Sequence, residues 1–312
     1  MSRSFSGIIP VMITPFTADG QIDEPGLKSL VDWYVDHGAD VLFGVCQSSE
    51  MQFLSLEERV ALGKATVKAS AGRLPVIVSG HVSDTPDAQA DELQAMVETG
   101  ADGIVLVTNR FAVGNDDSAA WIRDLDTLLA RLPEDLPLGL YECPAPYRRL
   151  LSDEELQYCA RTGRFGVLKD VSCDLPTVER RVKLVEGTPL QIVNANAAIA
   201  AGAMRAGARG FSGVFTNFHP DLYKWLLEHG ADHPELAADL TVFLALAAQT
   251  EPMGYPKLAK LYHQRLGTFA ETLSRTVPFD IEEKFWALTA TLEHIEHGTE
   301  TFRARIAATR AS

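Results

Sequence analysis

A chain of 312 residues with 46% hydrophobic and 22% charged side chains has the make-up of an ordinary globular protein. It is long enough for one large α/β domain, and no region is polar enough to be disordered. Its net charge of −14 argues against a nucleic-acid surface and against an anionic-membrane surface, while leaving room for a locally positive pocket that takes a small anion. The N-terminus carries no apolar stretch long enough for a signal peptide or a membrane span. The four cysteines, Cys46, Cys143, Cys159 and Cys173, form neither Cys-x-x-Cys nor zinc spacing, so no metal is expected and a reduced, cytoplasmic protein is.

Residues 7–14 are a continuous apolar run followed by Pro15 and Phe16. The segment 25–37 reads as a helix, with Asp23 as its cap, Pro25 in its first turn and Gly38 beyond its end. A strand is predicted over 41–45. Ser55 and Glu58 have capping-box spacing and open a helix that runs to residue 70. Then come a strand at 76–79, a helix at 84–99, a strand at 103–108 and a helix at 118–131. The strand at 138–141 is bounded by Pro137 and Pro144, and Ser152 with Glu155 opens the next helix. Strands at 166–169, 190–193 and 210–215 alternate with helices at 177–185, 197–206 and 220–228.

Eight strand–helix units in strict alternation, with strands apolar throughout, predict parallel strands buried on both faces. The expected fold is a (β/α)8 TIM barrel over residues 1–230. The alternative, an open doubly wound sheet, lacks a Gly-x-Gly-x-x-Gly turn after the first strand. Residues 231–312 read as a C-terminal helical extension of three helices, 234–248, 256–273 and 281–298. Leu258, Leu261, Tyr262 and Leu266 recur there at helical spacing, facing either the barrel or a second copy of the chain.

In a barrel, reactive groups collect at the C-terminal ends of the strands. That rule selects Thr14, the Gln47-Ser48-Ser49-Glu50 turn, His81, residues 108–111, Tyr141, Lys169, Asn194, Asn196 and Ser212. Lys169 is the one lysine among them and Tyr141 the one tyrosine. A lysine at the end of a buried strand loses hydration, which lowers its pKa and frees a neutral amine to attack a carbonyl. The same position also suits a lysine that simply reaches water. A nearby phenol can carry the protons that imine formation and dehydration move, or can be an interior tyrosine bonded to a carbonyl. The 47–49 turn offers N–H groups and hydroxyls to a carboxylate, or is plain loop chemistry. A lone His81 is more often structural than catalytic.

Four segments, in order, carry a resemblance. Ile9-Pro10 through Phe16 form an opening strand; Cys46-Gln47-Ser48-Ser49-Glu50 stands where a Gly-Thr/Ser-Thr-Gly-Glu turn is usual; Leu140-Tyr141-Glu142-Cys143-Pro144 is similar to Leu-Tyr-Asn-x-Pro; and Gly166-Val-Leu-Lys-Asp170 to Gly-x-Lys-Asp/Glu. Over residues 7–220 the chain resembles the pyruvate-dependent class I aldolases, the superfamily of dihydrodipicolinate synthase and N-acetylneuraminate lyase. The resemblance implies a lyase in which Lys169 forms a Schiff base with pyruvate or another 2-oxo acid and Tyr141 shuttles protons. It implies that Ser48, with backbone groups of Gln47 and Ser49, binds the 2-oxo acid carboxylate, and that Thr14 and Ser212 line the site. No cofactor beyond the imine is implied, and a homodimer or homotetramer is.

The departures fall elsewhere. Cys46 and Ser49 replace the turn's glycines, and Gln47 its first threonine. Arg110 and Phe111 stand in place of a tyrosine pair, so a relay hydroxyl is missing, and Arg110 is either a rim residue that binds an anionic acceptor or a solvated loop arginine. Pro146 holds the place of an arginine that meets the substrate carboxylate in the synthases; Arg148 and Arg149 follow closely and are candidates to replace it. The imine pair is retained. The expectation is therefore Schiff-base chemistry on a 2-oxo acid. The alternatives are the synthase itself, a barrel that binds 2-oxo or sugar acids with little turnover, and an unrelated barrel chemistry.

Overall fold

The computed structural model describes residues 5–114 and 117–309. The first four residues, on which the reading of the N-terminus partly rests, and the last three of the 231–312 extension lie outside them. Eight parallel strands form one sheet: β1 (Gly7–Ile8), β2 (Leu42–Gly44), β3 (Val76–Val78), β4 (Gly103–Val107), β5 (Leu138–Tyr141), β6 (Phe165–Asp170), β7 (Gln191–Asn194) and β8 (Gly210–Phe211). Neighbours in sequence are neighbours in the sheet from β2 to β8, and β8 pairs with β1. The ring closes through a parallel bridge between Val11 and Phe43, with Met12 N–H donating to the Phe43 carbonyl at 3.0 Å and Phe43 N–H to that of Pro10 at 3.0 Å. The barrel predicted from the alternation is the fold observed. The apolar run of 7–14 is only briefly a regular strand, because Pro10 has no N–H to give the ladder.

The intervening helices are α1 (Glu24–Asp36), α2 (Leu56–Ser70), α3 (Pro86–Val97), α4 (Ser118–Leu129), α5 (Asp153–Thr162), α6 (Leu175–Leu184), α7 (Ala200–Arg205) and α8 (Pro220–His229). Their starts follow the capping signals. Asp23 accepts from Gly26 N–H at 3.0 Å, and both capping boxes form, Ser55 with Glu58 and Ser152 with Glu155.

Beyond the barrel lie α9 (Pro234–Ala248), α10 (Lys257–Arg265), the single turn α11 (Ile281–Lys284) and the long α12 (Leu288–Thr309). Two expectations are corrected here. The helix predicted over 256–273 stops at Arg265, where Gly267 takes a left-handed φ of 75° and Thr268 N–H turns back to the His263 carbonyl. The helix predicted over 281–298 is broken at Phe285 and resumes as α12 through Gly298, which sits within it rather than ending it. Leu258, Leu261 and Tyr262 are buried in this chain, whereas Leu266 is exposed.

The register of β5 and β6 positions the site. Tyr141 is the direct partner of Lys169, one rung above Leu140 and Leu168. Both therefore end adjacent strands at the same height, side by side. Two residues below, a methyl on Gly139 would meet Val167 at 2.9 Å and Val105 at 3.2 Å, so the interior is closely packed under the pair.

Candidate active site

Lys169 is 8% exposed, and its ammonium lies 4.4 Å from the centre of the Tyr141 ring. Burial pushes its amine below the ordinary lysine value, opposed in part by the nearby weak acids Cys46, Cys143 and Glu251. The Tyr141 phenol goes the other way: burial, then Cys143, holds it well above its usual value, so it keeps its proton. Its hydroxyl donates to Gln47 Oε1 at 3.4 Å, and the Cys143 thiol donates to the same oxygen at 3.3 Å. Tyr141 also packs edge-on against Phe43, with ring centres 5.6 Å apart.

A cavity of about 430 Å³ opens over the pair and is lined by Gln47, Ser48, Arg110, Tyr141 and Lys169 among the residues singled out in the sequence. Five others stand apart from it. Thr14 donates to the Ser49 carbonyl at 2.8 Å and Ser49 to the Met12 carbonyl at 2.6 Å, so these two brace the loop against the first strand. Ser212 donates to the Ile9 carbonyl at 2.9 Å, behind the β1–β8 seam. Phe111 stacks on His81 and meets Trp121 edge-on, lining a neighbouring cavity instead. His81 is fully buried and accepts from Val107 N–H at 2.6 Å, with its pKa pushed down to about 4 by burial; it is structural.

The 47–49 turn is a short 3-10 segment. Ser49 N–H is committed to the Cys46 carbonyl and Glu50 N–H to that of Gln47. Ser48 lines the cavity, and its side chain is hydrogen-bonded to that of Tyr255. Neither Cys46, which is extended, nor Ser49 needs the freedom of glycine. The left-handed residues are Val45 (φ 49°) and Glu50 (φ 63°), which bracket the turn. Glu50 is held by what surrounds it: its buried carboxylate pairs with Lys260 and accepts from the Ser274 hydroxyl at 2.8 Å and Thr276 N–H at 2.7 Å. Burial pushes Lys260 down to about 8 against the pull of Glu50.

Of the three arginines, Arg110 alone reaches the cavity. Arg148 donates to the carbonyls of Val171 and Ser172, and Arg149 makes a two-pronged pair with Glu155. Neither takes the place that Pro146 vacates.

Several residues escaped the sequence reading. Glu142 and Asp170 directly follow Tyr141 and Lys169, so they point to the opposite side of the sheet, where both are fully buried. Arg181 of α6 grips them together. It donates to both oxygens of Glu142 at 2.9 and 2.6 Å and also contacts Asp170, while the N–H groups of Leu151 and Val171 complete the Glu142 carboxylate. Burial still holds the Glu142 carboxyl above its usual range, against the pull of Arg181. The signal was present: two acids in continuously apolar strands require a buried cation. Glu251, Tyr255, Pro256 and Thr276 form the far wall of the cavity, and loss of hydration raises the Glu251 carboxyl while Lys169 draws it down. No motif pointed to that wall, because these residues lie in short connections between C-terminal helices.

A parallel α/β barrel with a polar cavity at the C-terminal ends of its strands is the frame of a barrel enzyme. Residues 4–291 match the dihydrodipicolinate synthetase family. The chain is 29% identical over 218 residues to the 4-hydroxy-tetrahydrodipicolinate synthase of Jannaschia sp. (strain CCS1), covering 70% of this chain and 72% of that protein. Its fold is similar to that of dihydrodipicolinate synthase from Bacillus anthracis, with a TM-score of 0.83, 22% identity and coverage of 93% and 98% of the two chains. It is equally similar to YagE, a prophage protein of the dihydrodipicolinic acid synthase family from E. coli K12, with a TM-score of 0.82, 24% identity and coverage of 94% and 99%. The chain belongs to the dihydrodipicolinate synthetase family and is an enzyme of the lyase type.

Proposed function

We propose that this enzyme is a Schiff-base lyase acting on pyruvate or another 2-oxo acid. The observation that carries the reading is the pairing of a desolvated Lys169 with a protonated Tyr141 in one cavity. The neutral amine attacks the 2-oxo carbon and the carbonyl oxygen takes up a proton, giving a carbinolamine. The amine nitrogen gives up a proton, and a second proton on the hydroxyl lets it leave as water, forming the iminium. Tyr141 carries these protons, and Gln47 Oε1 holds its hydroxyl in place. The Ser48 hydroxyl and the backbone of the 47–48 turn receive the carboxylate. Glu251 balances the iminium charge across the cavity. The similar proteins from Acinetobacter baumannii and E. coli K12 were solved in complex with pyruvate, which supports the choice of 2-oxo acid.

A second reading, the biosynthetic synthase itself, is favoured by the names of the curated relatives. Against it stand Pro146, the diverted Arg148 and Arg149, and Phe111 packed away from the cavity. Only weak turnover is expected with pyruvate plus aspartate semialdehyde in a coupled assay; efficient turnover there selects the synthase.

The direct test is intact-protein mass spectrometry after incubation with pyruvate and sodium borohydride. A lactyl-sized gain on one residue, mapped to Lys169 by peptide digestion, is the expected result; no gain with any 2-oxo acid refutes the proposal. Tyr141→Phe keeps the ring against Phe43 and Lys169 and removes only the hydroxyl. Its adduct is expected to grow about 10²-fold more slowly or worse, the usual scale for losing a positioned proton donor. An unchanged rate would move the shuttle to another group.

A further inference from the structure

We infer that Arg110 makes this a site for 2-oxo acids that carry a second carboxylate beyond the reacting carbonyl. The inference rests on the Schiff-base reading above and adds the class of substrate to it.

The Arg110 side chain is only 10% exposed, and it lines the cavity of Lys169 and Tyr141. One terminal nitrogen donates to Asp84 at 2.8 Å, but that carboxylate is 79% exposed and largely screened by water. The Nε of Arg110 is buried and has no hydrogen-bond partner among the described residues. That Nε is sealed off from the cavity, and Arg110 with Asp84 also borders the neighbouring cavity, so the contact it can offer a substrate is through its terminal nitrogens, whose planar pair matches a carboxylate.

The charges of the cavity lead to the same ligand. Its lining holds three charged side chains, Lys169, Glu251 and Arg110. Once Lys169 becomes an iminium, Glu251 balances it. The first carboxylate of the substrate is taken by the 47–48 turn. Among the described residues Arg110 is then the cation left without a buried counter-charge. A single negative charge answers it, and Glu251 in the same cavity opposes the two charges of a phosphate. A volume of about 430 Å³ lies within the range for small-molecule pockets and leaves space for a chain longer than pyruvate.

The test uses the borohydride adduct on the intact enzyme and needs no acceptor. Pairs of equal length compete for Lys169: 2-oxoglutarate against 2-oxopentanoate, and 2-oxoadipate against 2-oxohexanoate, with pyruvate as the reference. The wild type is expected to label with the diacid about tenfold or more faster at limiting concentration, the scale of one charge-assisted contact. In Arg110→Gln the ratio is expected to collapse to near one. Asp84→Asn, a change at an exposed site, removes the competing carboxylate and is expected to keep or increase the ratio; it serves where Arg110→Gln does not fold. Equal labelling of the pair in wild type, with pyruvate trapped normally, overturns the inference and leaves the Schiff base standing. A preference that survives in Arg110→Gln also overturns it. Failure to trap any 2-oxo acid removes the Schiff base and this inference with it.

Discussion

Lys169→Ala and Lys169→Met are both expected to lose the pyruvate adduct entirely and to cut turnover by roughly 10⁴-fold or more, the scale of removing a covalent nucleophile. The fold is expected to survive, and the stability change has a sign that identifies the amine. In the wild type the folded-state pKa of Lys169 is depressed by burial, while the unfolded chain keeps an ordinary lysine. The unfolded state therefore binds more protons between those two values, so wild-type stability rises with pH through that window. Methionine fills the space without a charge and removes the slope. Lys169→Met is expected to gain on the wild type at low pH, with the advantage shrinking as pH rises towards 10.5. Chemical denaturation at several pH values reads this out. The wild-type trapping rate is likewise expected to climb with pH and level off below the ordinary lysine value. A plateau at that value would mean that Lys169 is solvated in solution, and the proposed nucleophile would lose its physical basis.

The largest loss of stability is expected from Arg181→Met. Breaking a buried ion pair by removing one partner costs about 3–5 kcal/mol, because the remaining charge stays buried without a counter-charge. Here two carboxylates, Glu142 and Asp170, are left. Glu142 directly follows Tyr141 of β5 and Asp170 follows Lys169 at the end of β6, so slower adduct formation is expected even where the variant folds. The pH dependence separates this cause from simple loss of packing. Burial already holds the Glu142 carboxyl above its ordinary value against the pull of Arg181; without the guanidinium it rises further, the folded state binds more protons than the unfolded one over a wider range, and stability falls more steeply as pH rises. The deficit relative to wild type is therefore expected to be smaller at pH 5 than at pH 8. A pH-independent deficit would assign the loss to packing alone.

The sequence made the barrel legible because strand and helix signals alternate without interruption, and caps such as Ser55 with Glu58 fix helix starts locally. Lys169 and Tyr141 were legible because a polar residue ending an apolar strand has few places to go, and the register makes them neighbours. Thr14, Ser49 and Ser212 show the limit of that logic: each ends a strand or turn, yet its hydroxyl is committed to a main-chain carbonyl. Arg148 and Arg149 lie as near to Tyr141 in sequence as a substrate-binding arginine should, but the path after Pro146 carries them towards main-chain carbonyls and Glu155. The far wall was not legible at all. Glu251 and Thr276 meet the cavity through the bends between tail helices, and no local pattern encodes where such bends land.

The buried contact between Glu50 and Lys260 has a consequence for anyone who would cut this chain. The turn bearing Gln47 and Ser48 and the helix bearing Lys260 are some 210 residues apart in sequence, yet one carboxylate joins them, and Ser274 and Thr276 close on the same oxygens. Trimming the polypeptide after its eighth strand–helix unit would strip the cavity of its outer wall and release the residue that ends its inner turn. Swapping that tail for one from a relative is equally unsafe unless the acid and the lysine travel together. The last quarter of the chain thus completes the cavity, and a library that shuffles barrel and tail should treat residues 47–50 and 251–276 as a single inherited block.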